Sequence, residues 1–197
     1  MLFGQTGAVT AALLPTTSTK IPGTRAPIDA KGRIHWVLKA ALGPDNLIAD
    51  ALFAGVGTAD NNPKEYGTHW EGFGHRFGNR VLYGATSATI EAAAGSLWGE
   101  DPRYMRATGQ PLSGRVKNVV ISAFMARNRE GERMPAYARY IAYAGGTFLS
   151  NEYRPPSETS MGDTLARIPI SFAARMGKNA FSEFFPDLKR RVFGAGN

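Results

Sequence analysis

Cysteine is absent from the 197 residues, which removes disulfide frameworks, thiolate zinc sites and cysteine nucleophiles. Histidine occurs three times, at His35, His69 and His75, so a four-ligand metal site has little to draw on. No Gly-x-Ser-x-Gly marks a nucleophile elbow, and no Gly-x-x-x-x-Gly-Lys-Ser/Thr marks a phosphate loop. Gly72-x-Gly74 is followed by Gly78 one place late for a dinucleotide fingerprint, with no strand before it.

Long apolar runs are lacking as well. The most promising uncharged stretch has ten residues from Val81 to Ile90, then Glu91, then eight more to Gly99. A lone span needs about 20 apolar residues, and a mid-helix carboxylate costs about 2.5–3.5 kcal/mol on insertion. The C-terminal region carries Arg167, Arg175 and Lys178 inside its helical pattern. The sequence therefore points to a soluble or membrane-apposed bundle. The apolar run at 8–14 has no basic residue before it and no clear small-residue cleavage site after it, so it is not read as a signal peptide. Residues 1–30, broken by Pro15, Pro22 and Pro27, read as a disordered or extended tail. Residues 31–197 read as one helical domain.

What the chain does have is glycine, 23 residues of it, and a formal charge of +7. Up to Asn62 there are 5 basic and 4 acidic residues, and after it 18 and 12, so the excess of +6 belongs to the larger part. The stretch from Trp70 to Gly99 organises the rest. Gly74, Gly78, Val81, Ala85, Ala88, Ala92, Gly95 and Gly99 step by 4, 3, 4, 3, 4, 3, 4, one nearly bare helix face. Such a face lets a neighbour approach to about 8 Å between axes. Trp70, Phe73, Phe77, Leu82, Tyr83, Ile90, Leu97 and Trp98 spread over the other sides, so this is read as a core helix covered on more than one side. Gly99 supplies its left-handed cap.

A first helix is expected from Gly32, with Ile34, Val37, Leu38 and Leu42 on one side, stopping at Gly43-Pro44. A second, capped by Asp45, is expected to end near Gly55 to Gly57, before a turn at Asn61-Asn62-Pro63. Residues 116–126 lean to helix from after Ser113, and a short hairpin over 126–135 is the alternative to a plain charged turn at Asn128-Arg129-Glu130-Gly131. Residues 134–150 read as helix. A last helix over residues 160–185, with an Asp163–Arg167 pair and a kink or break at Pro169, repeats the small stripe through Gly162, Ala166, Ala173 and Gly177. That stripe makes it the expected partner of the central helix. The fold class is all-α, five or six helices around close-packed Gly/Ala seams.

The chemical candidates are few. His69, Glu71 and His75 form the densest set of potential ligands, weighed against solvated residues near a helix start. Glu91, once buried, requires an arginine such as Arg139 or Arg175 to keep its charge, and that structural pair outweighs a general acid. Arg103, Arg106, Arg115 and Lys117 flank one end of the 116–126 segment, and Arg127, Arg129 and Arg133 the other, with Tyr104 and Tyr137 among them. A solvated basic surface, attraction to anionic lipid and nucleic-acid binding compete for them. No nucleic-acid module accompanies the charge, and Glu130 and Glu132 dilute it.

Glu71-Gly72-Phe73-Gly74 with Arg76-Phe77-Gly78, then Glu100-Asp101-Pro102-Arg103-Tyr104, then Ser150-Asn151 with Tyr153 and Pro155, together resemble a group of uncharacterised bacterial envelope proteins. The resemblance covers about residues 30–190. It implies an envelope location and no known activity, cofactor or catalytic residue. The expectation is a structural or interaction protein with no cofactor, meeting an anionic membrane surface or another envelope protein. A small-molecule or metal-binding protein, or an enzyme, using His69, Glu71, His75 or Glu91, is the alternative.

Overall fold

The structure, a computed structural model, describes residues 26–193, with side chains to Arg191. The predicted tail falls, up to residue 25, outside them. The described residues form six α-helices, three short 3-10 turns and one two-stranded antiparallel hairpin, an all-α bundle.

Helix α1 (Ala30–Leu42) begins two residues before the expected Gly32, because the Asp29 carboxylate accepts the Gly32 N–H at 2.7 Å. Gly43 breaks it in an extended conformation and Pro44 opens α2 (Pro44–Ala59), so Asp45 lies inside the first turn rather than at the cap. Helix α2 runs on through Gly55 and Gly57. Gly57 stays helical under Arg76, where an added Cβ would stand 3.1 Å from the Arg76 Cδ. The turn at Asn61-Asn62-Pro63 leads into α3 (Trp70–Trp98), which ends as expected on Gly99 at φ 78°.

The 116–126 segment is helix α4 (Leu112–Phe124), and the hairpin forms: β1 (Met125–Arg127) pairs with β2 (Arg133–Pro135), Ala126 opposite Met134. Helix α5 (Tyr137–Leu149) follows directly. Helix α6 (Met161–Phe193) continues through both Pro169 and Pro186, beyond the expected end. Asp163 does not pair with Arg167. It accepts the Ser160 hydroxyl, while Arg167 donates to the Glu158 carbonyl and to Asn151 Oδ1.

The partner of α3 is also different from the expected one. Helix α3 packs most extensively on α5 and then on α1 and α2, while α6 lies on α4 and α5. The close approach is Ser87 against Gly146, where a Cβ on the glycine would come within 2.4 Å of the Ser87 Oγ. Of the expected seam, Ala88, Ala92 and Gly95 are buried and Ala85 is half-buried, whereas Gly74 and Gly78 face open space. On α6, Gly162, Ala166, Ala173 and Gly177 are all exposed. Helix α6 meets α3 through polar side chains, Tyr83 OH to Ser171 Oγ at 2.6 Å and Arg175 to Glu91 at 3.8 Å.

Polarity is distributed unusually, with several charged side chains inside and many large apolar ones outside. The buried apolar residues are mostly alanines, accompanied inside by Arg33, Arg76, Glu91, Glu100, Asp101, Arg139, Asn179 and Glu183. Many large apolar residues point out at helical spacing: Ile34, Leu38 and Leu42 on α1; Ile48, Leu52 and Val56 on α2; Val116, Val120 and Phe124 on α4; Phe181, Phe185 and Leu188 on α6, while Phe73, Phe77, Ile90, Ile121 and Phe172 are half-buried. On α3, Trp70, Leu82, Leu97 and Trp98 are exposed, Trp70 to 85%, although α5, α1 and α2 cover the helix on more than one side, as the core-helix reading expects. No described helix is long and apolar enough to cross a membrane.

Candidate functional site

The polar interior is built from the ends of helices inward. An α-helix leaves its last carbonyls without partners. Arg33 of α1 reaches the end of α3 and donates to the carbonyls of Ala92 at 3.3 Å, Gly95 at 3.2 Å and Glu100 at 2.8 Å. At the other end of α3, Arg76 gathers the carbonyls of Asn62, Pro63 and Gly67 at 2.7–2.9 Å, clamping the α2–α3 connection. Glu100 Oε2 accepts both Trp98 Nε1 at 3.0 Å and the Ala138 N–H at 2.9 Å, which caps α5.

At the centre stands Glu91, 3% exposed, with Arg139 Nε donating to its Oε1 at 3.0 Å and Arg175 at 3.8 Å from the same oxygen. Both arginines named from the sequence therefore flank it. Arg139 also donates through Nη1 to the carbonyls of Ser122 at 2.9 Å and Ala123 at 3.0 Å, the unpaired end of α4. Arg175 donates to the Pro102 carbonyl at 2.5 Å. Glu91 is thus committed to two cations, a structural arrangement.

The predicted basic set divides. Arg106 and Arg115 converge on α6, where Arg115 Nε donates to Glu183 Oε1 at 2.7 Å and both arginines reach Asp187. Tyr104 adds its hydroxyl to Glu183 Oε2 at 2.7 Å, and burial together with that bond raises the phenol well above its ordinary range. These two arginines are structural ties. Arg103 forks onto Asp101 with contacts of 2.5–3.0 Å. Lys117 is exposed, and Arg129 lies over Gly99. Arg127 donates to the Gly131 carbonyl at 2.5 Å and Arg133 to Asn118 Oδ1 at 3.1 Å.

Four arginines, Arg103, Arg127, Arg133 and Arg139, line one small cleft with Asn118 and Ser122. Arg103, Arg127 and Arg133 were visible in the basic clusters of the sequence. Arg139 was visible only as a partner for Glu91, and nothing in its neighbourhood of alanines and tyrosines marks it as a member of the cleft. The arrangement offers concentrated positive charge and hydrogen-bond donors, and among the described residues that line it none is a carboxylate.

His69, Glu71 and His75 do not converge on a ligand position. His75 stacks on Tyr66 with centroids 5.1 Å apart, and its Nε2 is 3.9 Å from the exposed Glu71 carboxylate. Among the described residues no three histidines, aspartates or glutamates stand close enough to hold a metal ion. Compared with protein-family models, curated proteins and solved structures, the chain matches none.

Proposed function

We propose that the protein is a non-enzymatic structural or interaction protein of the bacterial envelope, seated against the apolar phase of a membrane. The observation that carries this reading is the outward presentation of large apolar side chains around a charged and hydrogen-bonded interior. In water this arrangement forfeits the hydrophobic stabilisation that burying a Leu, Ile or Phe supplies, about 1.5–3 kcal/mol each. In lipid it loses nothing, because acyl chains are as apolar as leucine and the interior ion pairs are strengthened by the low dielectric around them.

Acyl chains fit better than a single protein partner as the cover. The apolar residues face outward from all six helices, so a protein would have to wrap the whole molecule with matching shape, whereas lipid adapts without it. The formal charge of +7 suits an anionic membrane surface. Trp98, with an exposed ring and a hydrogen-bonded N–H, is the kind of residue that settles at such a surface. The resemblance of the motifs around Glu71, Glu100 and Ser150 to envelope proteins supports the same location.

The test is flotation of the purified protein with neutral, phosphate-free glycolipid vesicles in high salt, where electrostatic attraction is screened. Flotation is expected. A protein that stays in the dense fraction as a monodisperse monomer without detergent would defeat the reading. A detergent-free oligomer that does not float would replace lipid with further copies of the chain.

A further inference from the structure

The cleft between the hairpin, α4 and α5 combines four arginines with too few acids to neutralise them. Asp101 faces Arg103, and Glu91 faces Arg139 but is shared with Arg175. Arg127 and Arg133 have neutral acceptors, the Gly131 carbonyl and Asn118 Oδ1, and neither forms an ion pair among the described residues. Glu130 and Glu132, in the hairpin turn, are exposed, and Glu132 is turned to Asn128, its Oε2 3.4 Å from the Asn128 Nδ2.

Arg139 is the decisive member. It is 1% exposed and lines the cleft. Its Nε and Nη1 are used on Glu91 and on α4 carbonyls, and among the described residues its Nη2 has no acceptor. A buried guanidinium with an unspent donor beside two unneutralised arginines is arranged for an anion. The partly open cleft has a volume of about 20 Å³, room for one water-sized group. The space admits one oxygen of a carboxylate or phosphate, and the half-buried Arg127 and exposed Arg133 line the same cleft. Planar forks of this type match phosphate oxygens two at a time, which favours phosphate over a single carboxylate.

We propose that this cleft is an oxyanion site for a phosphate group. The phosphate can come from a phospholipid headgroup or from solution. The lipid source rests on the membrane-seated reading above; the oxyanion chemistry does not.

The experiment titrates inorganic phosphate into the protein in nonionic detergent at constant ionic strength, and separately measures binding to phosphate-free glycolipid vesicles with and without phosphatidylglycerol. Three proteins are compared: wild type, R127Q/R133Q, and K117Q as a control for loss of surface charge. In wild type, saturable binding of inorganic phosphate that weakens about tenfold in R127Q/R133Q, and not in K117Q, supports a site open to soluble phosphate. A gain in vesicle affinity from phosphatidylglycerol, lost in R127Q/R133Q and kept in K117Q, supports the headgroup. Equal behaviour of wild type and R127Q/R133Q in both arms overturns the site. Failure to bind phosphate-free vesicles overturns the membrane seat alone and leaves the phosphate titration to judge the cleft. Should the double variant lose its helical circular dichroism, R133Q, at an exposed side chain, carries the same comparison.

Discussion

At the level of single residues the structure is governed by where charge is buried. Glu91 sits between Arg139 and Arg175 inside the bundle, and the ordinary penalty for such ions is recovered only while all partners are present. Glu91→Gln preserves volume but leaves two guanidiniums facing a neutral amide. The expected cost is about 3–5 kcal/mol, read as a fall in Tm in detergent, with part of it restored in Glu91→Gln/Arg139→Met. An unchanged Tm for the single variant would show that the pair contributes nothing. This need for an arginine was legible in the sequence, since a lone carboxylate amid Thr89, Ile90 and three alanines has few ways to remain charged. The use of Arg139 by α4 as well was not, because it depends on where a helix 15 residues away happens to end.

At the level of elements, periodicity showed which residues share a face but not which face turns inward. The spacing rule is symmetric, and inward assignment of the bulky stripe assumes water outside. Helix existence, the Gly99 cap and the hairpin alternative were therefore readable, while the pairing of α3 was assigned to the wrong stripe. Helices α5 and α6 both carry small residues at the right spacing, and only three-dimensional packing selects Gly146 on α5. The distinction is measurable. Gly146→Ala drives a methyl group to 2.4 Å from the Ser87 Oγ and is expected to cost about 1–3 kcal/mol. Gly78→Ala and Gly177→Ala, with no atom within 4 Å of the added carbon, are expected to gain up to about 1 kcal/mol from helix propensity. Thermal unfolding that ranks the three variants in the opposite order would return the seam to the glycine stripe.

At the level of the whole molecule, the ion pairs link elements that nothing in the local sequence connects. Arg106 and Arg115 looked like free surface cations because their carboxylates, Glu183 and Asp187, arrive from more than sixty residues downstream. This tie joins the 101–110 loop and α4 to the end of α6, and it is sensitive to acid. Burial pushes the Glu183 carboxyl up, but hydrogen bonds from Arg115, Tyr104 and the Ala107 N–H outweigh it and hold it below its ordinary 4.5. Asp187 is held below its ordinary 3.8, first by Arg190 and then by Arg115 and Arg106. A carboxylate depressed in the folded state contributes stability that is fully present above its unfolded value and is lost as the pH falls toward its folded one. The tie is therefore complete at neutral pH and weakens progressively below pH 4.5. Wild type should show a Tm that is flat from neutral pH down to about pH 5 and then declines, with Asp187→Asn lower at neutral pH and the gap between the two closing in acid. A constant gap across the titration would mean that the Asp187 carboxylate adds packing and no charge, and that the α4–α6 junction is held by something other than its arginines.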